Sequence, residues 1–223
     1  MRPFPDATFP ADPYPGAVPD CSFVHLDGVG YPLRHRESGW RTGPDGLDEW
    51  LAARDAVPVA GRLPVLAYGS NRCPSKITWL RESLGLSGPV VVLTVVVEDV
   101  AAVWASGFRV RDGQRPATLA AMPGTRERHS LWLATPDQLA VLDRCEGRGI
   151  RYRLARLRSG TVRTEDGAVV DRPHTYLGQT SIRLPLLVDG VPVRCTDVDQ
   201  LTARELRGEP ADSDGLLTDE PDR

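Results

Sequence analysis

Long hydrophobic runs, clustered cysteines and a surplus of charge of either sign are what this chain lacks. Its longest apolar stretch, Pro89 to Val97, contains Thr94 and ends at Glu98. That is enough for a buried strand and too short for a membrane span. Cys21, Cys73, Cys145 and Cys195 lie too far apart to resemble a zinc knuckle, and the four histidines form no helix-spaced pair around a glutamate. No metal and no cofactor is expected. With 27 basic and 30 acidic side chains and a formal charge of -3, there is no cationic field to recruit a polyanion, so nucleic acid is not an expected partner. Proline and aspartate punctuate Met1 to Asp20 where a secretory segment would carry an apolar core. The expectation is a soluble, cytoplasmic protein with reduced thiols and no membrane association. Oligomeric state leaves no trace in the sequence.

What is present fits one main core with flanks on either side, in a chain of 223 residues and 24.4 kDa. Residues 1–60 read as a proline-rich extension, extended or loosely docked, followed by a short helix near Leu47 to Ala56. Residues 61–180 read as the core, and 181–223 as a C-terminal extension whose acidic end, from Gly208, should be solvated. In the core, an apolar strand at Leu63 to Tyr68 meets a helical pattern over Pro74 to Leu84, and a strand follows at Val90 to Val97. Short strands are predicted near Thr118–Ala121, Ser130–Ala134, Tyr152–Leu157 and Thr175–Leu177. Thr135, Pro136 and Gln138 form a helix-start signature, and Gly147 stops that helix directly after Glu146.

Two short stretches carry chemistry. In "YGSN", Tyr68 to Asn71, glycine permits a tight turn or close approach to a ligand, with a positive φ expected at Gly69. The N–H groups behind it can converge on negative charge, while Ser70 and Asn71 can cap a helix or hold a ligand. Glu146 closes the later helix, where the dipole favours cations over a carboxylate. It is either a solvated helix-end acid, paired with Arg148 or Arg151, or a group of raised proton affinity in a pocket. Cys73 reads as a buried structural thiol, and the tryptophans at 50, 79, 104 and 132 as core anchors.

Together, "LAYGSN" at Leu66–Asn71 and "LDRCEG" at Leu142–Gly147 resemble the γ-glutamyl cyclotransferase-like family, with "PATLAAMPG", "RYRLARL" and "PHTYLG" similar to its other strands. The resemblance covers about half of the chain, roughly Leu63 to Gly178. It implies an α/β fold built on a small, mostly antiparallel β barrel with flanking helices. It also implies an enzyme that releases 5-oxoproline from a γ-glutamyl amide without metal or cofactor. By that resemblance Glu146 is the general acid/base, Tyr68, Gly69, Ser70 and Asn71 hold the substrate, and Tyr152 and Tyr176 line the pocket. Arg72 stands where the family often has an apolar residue and is a candidate for the substrate rim, with Arg34, His35 and Arg36 as further candidates. A noncatalytic binding module for a small carboxylated ligand, or a γ-glutamyl amide hydrolase or transferase, remains the alternative.

Overall fold

Two unusually long strands organise the molecule. The computed structural model describes residues 2–220. Its main elements are β1 (Phe23–Leu26), β2 (Val29–Arg36), β3 (Gly39–Thr42), α1 (Leu47–Ala52), β4 (Leu63–Ala67), α2 (Pro74–Leu84), β5 (Val90–Trp104), β6 (Ala117–Ala134), α3 (Pro136–Glu146), β7 (Tyr152–Leu157), β8 (Thr161–Thr164), β9 (His174–Gly178) and α4 (Gln200–Glu205). β5 and β6 pair antiparallel along nearly their whole length, with a register shift between Glu98 and Val100. At that bulge Asp99 has φ 64 and Gly124 φ 82, and the Gly124 N–H donates to Asp99 Oδ1 at 2.7 Å. The bulge takes up Pro123, which cannot donate to a ladder. The two short strands expected near Thr118 and Ser130 are therefore the ends of one strand.

The main sheet has twelve strands and mixed order. Its path runs Thr218–Asp219, β7, β9, β4, β6, β5, β1, β2, β3 and Asp45–Gly46, with Phe4–Pro5 on β2 and β8 on β5. Among the described residues, β9 and β4 are the one strand pair of this path that runs parallel, and the other strand pairs are antiparallel. The result is a mixed α/β fold with one large sheet and few helices. Among the described residues the two ends of the path do not pair, so the expected closed barrel is replaced by an open sheet. Strands from the flanks, β1 to β3 at one side and Thr218–Asp219 at the other, extend the path where closure would have joined its edges.

α2 and α3 cover one face, where Ile77, Leu80, Val141 and Leu142 pack with Val65, Phe23 and Trp132. A second cluster on the other face contains Leu66, Leu93, Leu119, Trp50 and Trp104. α3 follows its sequence signature closely. Thr135 Oγ1 accepts from the Gln138 N–H, Gln138 Oε1 accepts from the Thr135 N–H, and Gly147 ends the helix at φ 65. The Gln138 amide also donates to the carbonyls of Ser87 and Pro89, fastening α3 to the entry of β5.

Both flanks join the 61–180 segment. The front is docked: buried Cys73 donates from Sγ to Ala17 O at 2.9 Å, and Phe4 packs edge-on against Phe9 and Phe23. The acidic tail is not simply solvated, because Thr218 and Asp219 pair with Leu157 and Arg156 as an edge strand. Its last residues, 221–223, lie outside the described residues.

Candidate functional site

β4 delivers its C-terminal end beside that of β9, and the chain then turns through Tyr68 and Gly69 into a 3-10 turn, Ser70–Arg72, before α2. Pro74 opens α2 with Cys73 as its N-cap residue and no side-chain cap. Ser70 and Asn71 are therefore not helix caps. Among the described residues, none of the Gly69, Ser70 and Asn71 N–H groups takes a backbone acceptor, which leaves a cluster of free donors in the turn. The Trp132 indole donates to Asn71 O at 2.9 Å and fixes the turn against β6.

Gly69 has φ -103, so the positive φ expected for it is not found. Glycine is required there for another reason. A Cβ at this position would stand 2.6 Å from the hydroxyl oxygen of Tyr14.

The two sequence stretches meet directly. Asn71 Nδ2 donates to Glu146 Oε1 at 2.6 Å. Three residues earlier on α3, Asp143 Oδ1 accepts from the Tyr176 hydroxyl at 2.7 Å. Tyr68 in turn donates to the Tyr176 carbonyl. Turn, helix end and strand β9 are thus tied by three hydrogen bonds around one space. Arg151 reaches back to close the helix, donating from Nη2 to Cys145 O at 2.8 Å and from Nε to Glu146 O at 3.1 Å. That cation satisfies the carbonyl end of α3, and its charge offsets the dipole that would disfavour Glu146.

This space is a cavity of about 440 Å³, within the range of small-molecule sites. Tyr68, Gly69, Ser70, Asn71, Glu146, Tyr152 and Tyr176 all line it. Burial pushes the Glu146 carboxyl above its ordinary range, opposed by the Asn71 hydrogen bond and by the charges of Lys76, Arg151 and Arg109. Glu146 is therefore the pocket carboxylate of the two readings, and Arg148 pairs with Asp143 instead, at 3.0 Å. Tyr68 and Tyr152 are also pushed up, mainly by burial, so both phenols stay protonated.

Other expectations are corrected. Arg72 does not line the cavity; its Nη1 leans toward Arg128 O at 3.4 Å, because the 3-10 turn rotates it away from Asn71. Arg34, His35 and Arg36 lie on β2, and His35 faces Asp166 at 3.4 Å. Trp79 is not a core anchor: it is 39% exposed at the cavity wall, with Lys76 Nζ 3.3 Å from its ring centroid.

Residues that local pattern did not single out complete the wall. Lys76 and Arg183 are both buried there, and among the described residues neither makes an ion pair within 4.0 Å, although the charge of Lys76 is felt by Glu146. Arg183 Nη1 donates to the carbonyls of Phe108 and Ile182, and its Nε has no partner. Arg109, held by Asp112 at 2.7 Å, lies 4.5 Å over the ring of Tyr14. Asp143 was visible in principle, one helical turn before Glu146 on the same face. Tyr14 and Arg183 come from opposite ends of the chain, and no local signal points to them. Among the described residues no three His, Cys, Asp or Glu side chains form a metal-ligand group, and no helix is long and apolar enough to cross a membrane.

No protein-family model and no curated protein matches the chain. Among solved structures it is similar to a γ-glutamyl cyclotransferase, at 20% identity and TM-score 0.43, over 53% of this chain and 67% of that one. It is also similar to an uncharacterized protein from Homo sapiens, at 19% identity and TM-score 0.44, over 54% and 68% of the two chains. A protein from Arabidopsis thaliana whose structure was solved in solution shares 15% identity at TM-score 0.38, over 53% of this chain and 69% of that one.

Proposed function

We propose that the chain is a cyclotransferase that converts a γ-glutamyl amide into 5-oxoproline and a free amine or amino acid. One observation carries this reading: the 2.6 Å hydrogen bond that joins Asn71 of the donor-rich turn to the Glu146 carboxylate at the wall of one cavity. A free α-amine is protonated at neutral pH, with a reference pKa of about 8, and cannot attack until a base removes its proton. Glu146 is that base. Its burial narrows the pKa gap to the amine, which is the direction that favours proton transfer.

The steps balance within the substrate. Glu146 takes one proton from the α-ammonium, and the freed nitrogen attacks the γ-carbonyl carbon to close a five-membered ring. Glu146 passes that proton to the leaving nitrogen as the bond from the carbon to it breaks; the ring nitrogen, which still carries one proton more than the lactam, sheds it to the medium, and the released amine takes one up to become an ammonium ion. The turn's N–H groups serve the carbonyl oxygen as it gains charge, or the substrate α-carboxylate. For a developing oxyanion, one such donor contributes roughly 3 to 4 kcal/mol. Attack is intramolecular, so the remaining work is to hold the folded-back conformer.

Lys76 and Arg183 replace Arg72 as candidates for recognising the leaving portion. Two buried cations on the wall of this cavity favour a leaving group that brings its own negative charge over a cationic amine. The test is a panel of γ-glutamyl amides with anionic, neutral and cationic leaving groups, scored for released 5-oxoproline. Release with preference for the anionic members is expected. Free glutamate as product would establish a hydrolase, and binding without any product would establish a binding module.

A further inference from the structure

We propose that the hydroxyl of Tyr14, from the proline-rich front segment, is a substrate-binding donor that completes the anion site of the Gly69–Asn71 turn. This rests on the reading above and adds to it a residue from outside the 61–180 segment.

Tyr14 is 6% exposed and lines the cavity. Its oxygen accepts from the Ala117 N–H at 2.9 Å. A phenol has one hydrogen to donate and two lone pairs to accept with. Acceptance from Ala117 uses one lone pair, and among the described residues no acceptor takes the hydrogen. A buried donor without a partner is costly unless a ligand or water supplies one. The neighbours define where that partner would sit. The Tyr14 oxygen lies 2.6 Å from the point where a Gly69 Cβ would be, beside the three turn N–H groups that also lack acceptors. Tyr14 and the turn residues Gly69, Ser70 and Asn71, from two distant parts of the chain, therefore line the same space.

The position is built, not incidental. The Tyr14 N–H donates to Gln114 Oε1 at 2.9 Å, its carbonyl accepts from Gln200 Nε2 at 3.2 Å, and the Arg109 guanidinium covers its ring. Gly16, two residues on, lies so close to Cys73 that a Cβ there would stand 2.3 Å from Sγ. The front segment is thus keyed to the residue that precedes α2. Burial raises the Tyr14 pKa, which keeps the phenol protonated as a donor across the assay range.

The experiment compares the full-length chain with Tyr14→Phe by thermal melting, by kcat and KM for 5-oxoproline release from a γ-glutamyl amide, and by calorimetric binding of L-glutamate and L-5-oxoproline. Loss of a hydrogen bond to a charged oxygen predicts a fall of about 10- to 100-fold in kcat/KM. A loss carried by KM and by L-glutamate affinity places the donor on the α-carboxylate. A loss carried by kcat places it on the carbonyl oxygen. A purely structural role would lower the melting temperature and leave kcat, KM and both affinities of the folded fraction within about twofold, and that result overturns the proposal. Should Tyr14→Phe melt too low to assay, Gly69→Ala forces the hydroxyl and the turn apart while keeping the hydroxyl, and unchanged ligand affinity there overturns the proposal equally. If the wild-type chain releases no 5-oxoproline but binds L-glutamate, and Tyr14→Phe weakens that binding, the donor stands and the cyclisation reading falls.

Discussion

Gly69→Ala tests the contact between the front segment and the turn. The added carbon would lie 2.6 Å from the Tyr14 oxygen, and 3.5 Å from the ring carbon that bears it. To restore an ordinary 3.4 Å contact the oxygen or the turn must yield by 3.4 minus 2.6, about 0.8 Å. The oxygen cannot retreat freely, since it holds the Ala117 N–H at 2.9 Å in a buried setting. Losing that bond leaves a buried donor unpaired, at about 1–3 kcal/mol. Tyr14→Phe alone incurs the same loss. In the double variant, however, the nearest ring atom stands at 3.5 Å and the clash is gone. The pair should therefore be non-additive, with Gly69→Ala/Tyr14→Phe no less stable than Tyr14→Phe and a coupling of about 1–2 kcal/mol. Denaturant unfolding of the four proteins reads this cycle directly. Strict additivity, or a Gly69→Ala variant as stable as wild type, would refute the close-approach explanation.

Three further outcomes are expected. Asn71→Ala removes a donor that favours ionised Glu146, so the acid limb of the kcat/KM profile should move to higher pH; an unmoved limb contradicts the pairing. Arg183→Gln should cut the preference for a γ-glutamyl amino acid over its C-terminal amide by about 10-fold, read as a ratio of kcat/KM values, and an unchanged ratio removes Arg183 from the leaving-group site. His25 is fully buried and its pKa is lowered to about 4, chiefly by burial and then by Arg81, so it is neutral when folded. Its contribution is complete above pH 6.5 and lost as pH falls toward 4, at up to roughly 1.4 kcal/mol per pH unit. His25→Gln should flatten the melting temperature over that window, and an equally steep fall would locate the acid sensitivity elsewhere.

The parts of the site that were legible in the sequence are those fixed by short-range rules. Thr135, Gln138 and Gly147 define α3 through bonds spanning at most four residues, and they place Glu146 at its last position. Residues that act across 75 to 103 positions were not legible. Tyr14 meets Ala117, and Arg183 meets Phe108, through pairings that depend on how the flanks fold over the sheet. Pro123–Gly124 reads locally as a strand break, yet a long partner strand with Asp99 at positive φ absorbs it as a bulge. Arg72 was misplaced for a related reason. A 3-10 turn before α2 rotates every side chain between Ser70 and the helix, and no residue type announces that turn.

The central claim is that Glu146 moves the proton, and Glu146→Gln tests it most directly. The amide keeps the volume and can still meet Asn71, but it cannot serve as a base. The account predicts a loss of about 100-fold or more in the turnover number for 5-oxoproline release. Because burial raises the Glu146 pKa in the folded protein, its ionised form costs stability as pH rises above its ordinary value of 4.5. The variant should therefore melt no lower than wild type at pH 7, with the difference growing in its favour as pH rises above 4.5. A folded Glu146→Gln protein that releases 5-oxoproline at a near-normal rate would contradict the account.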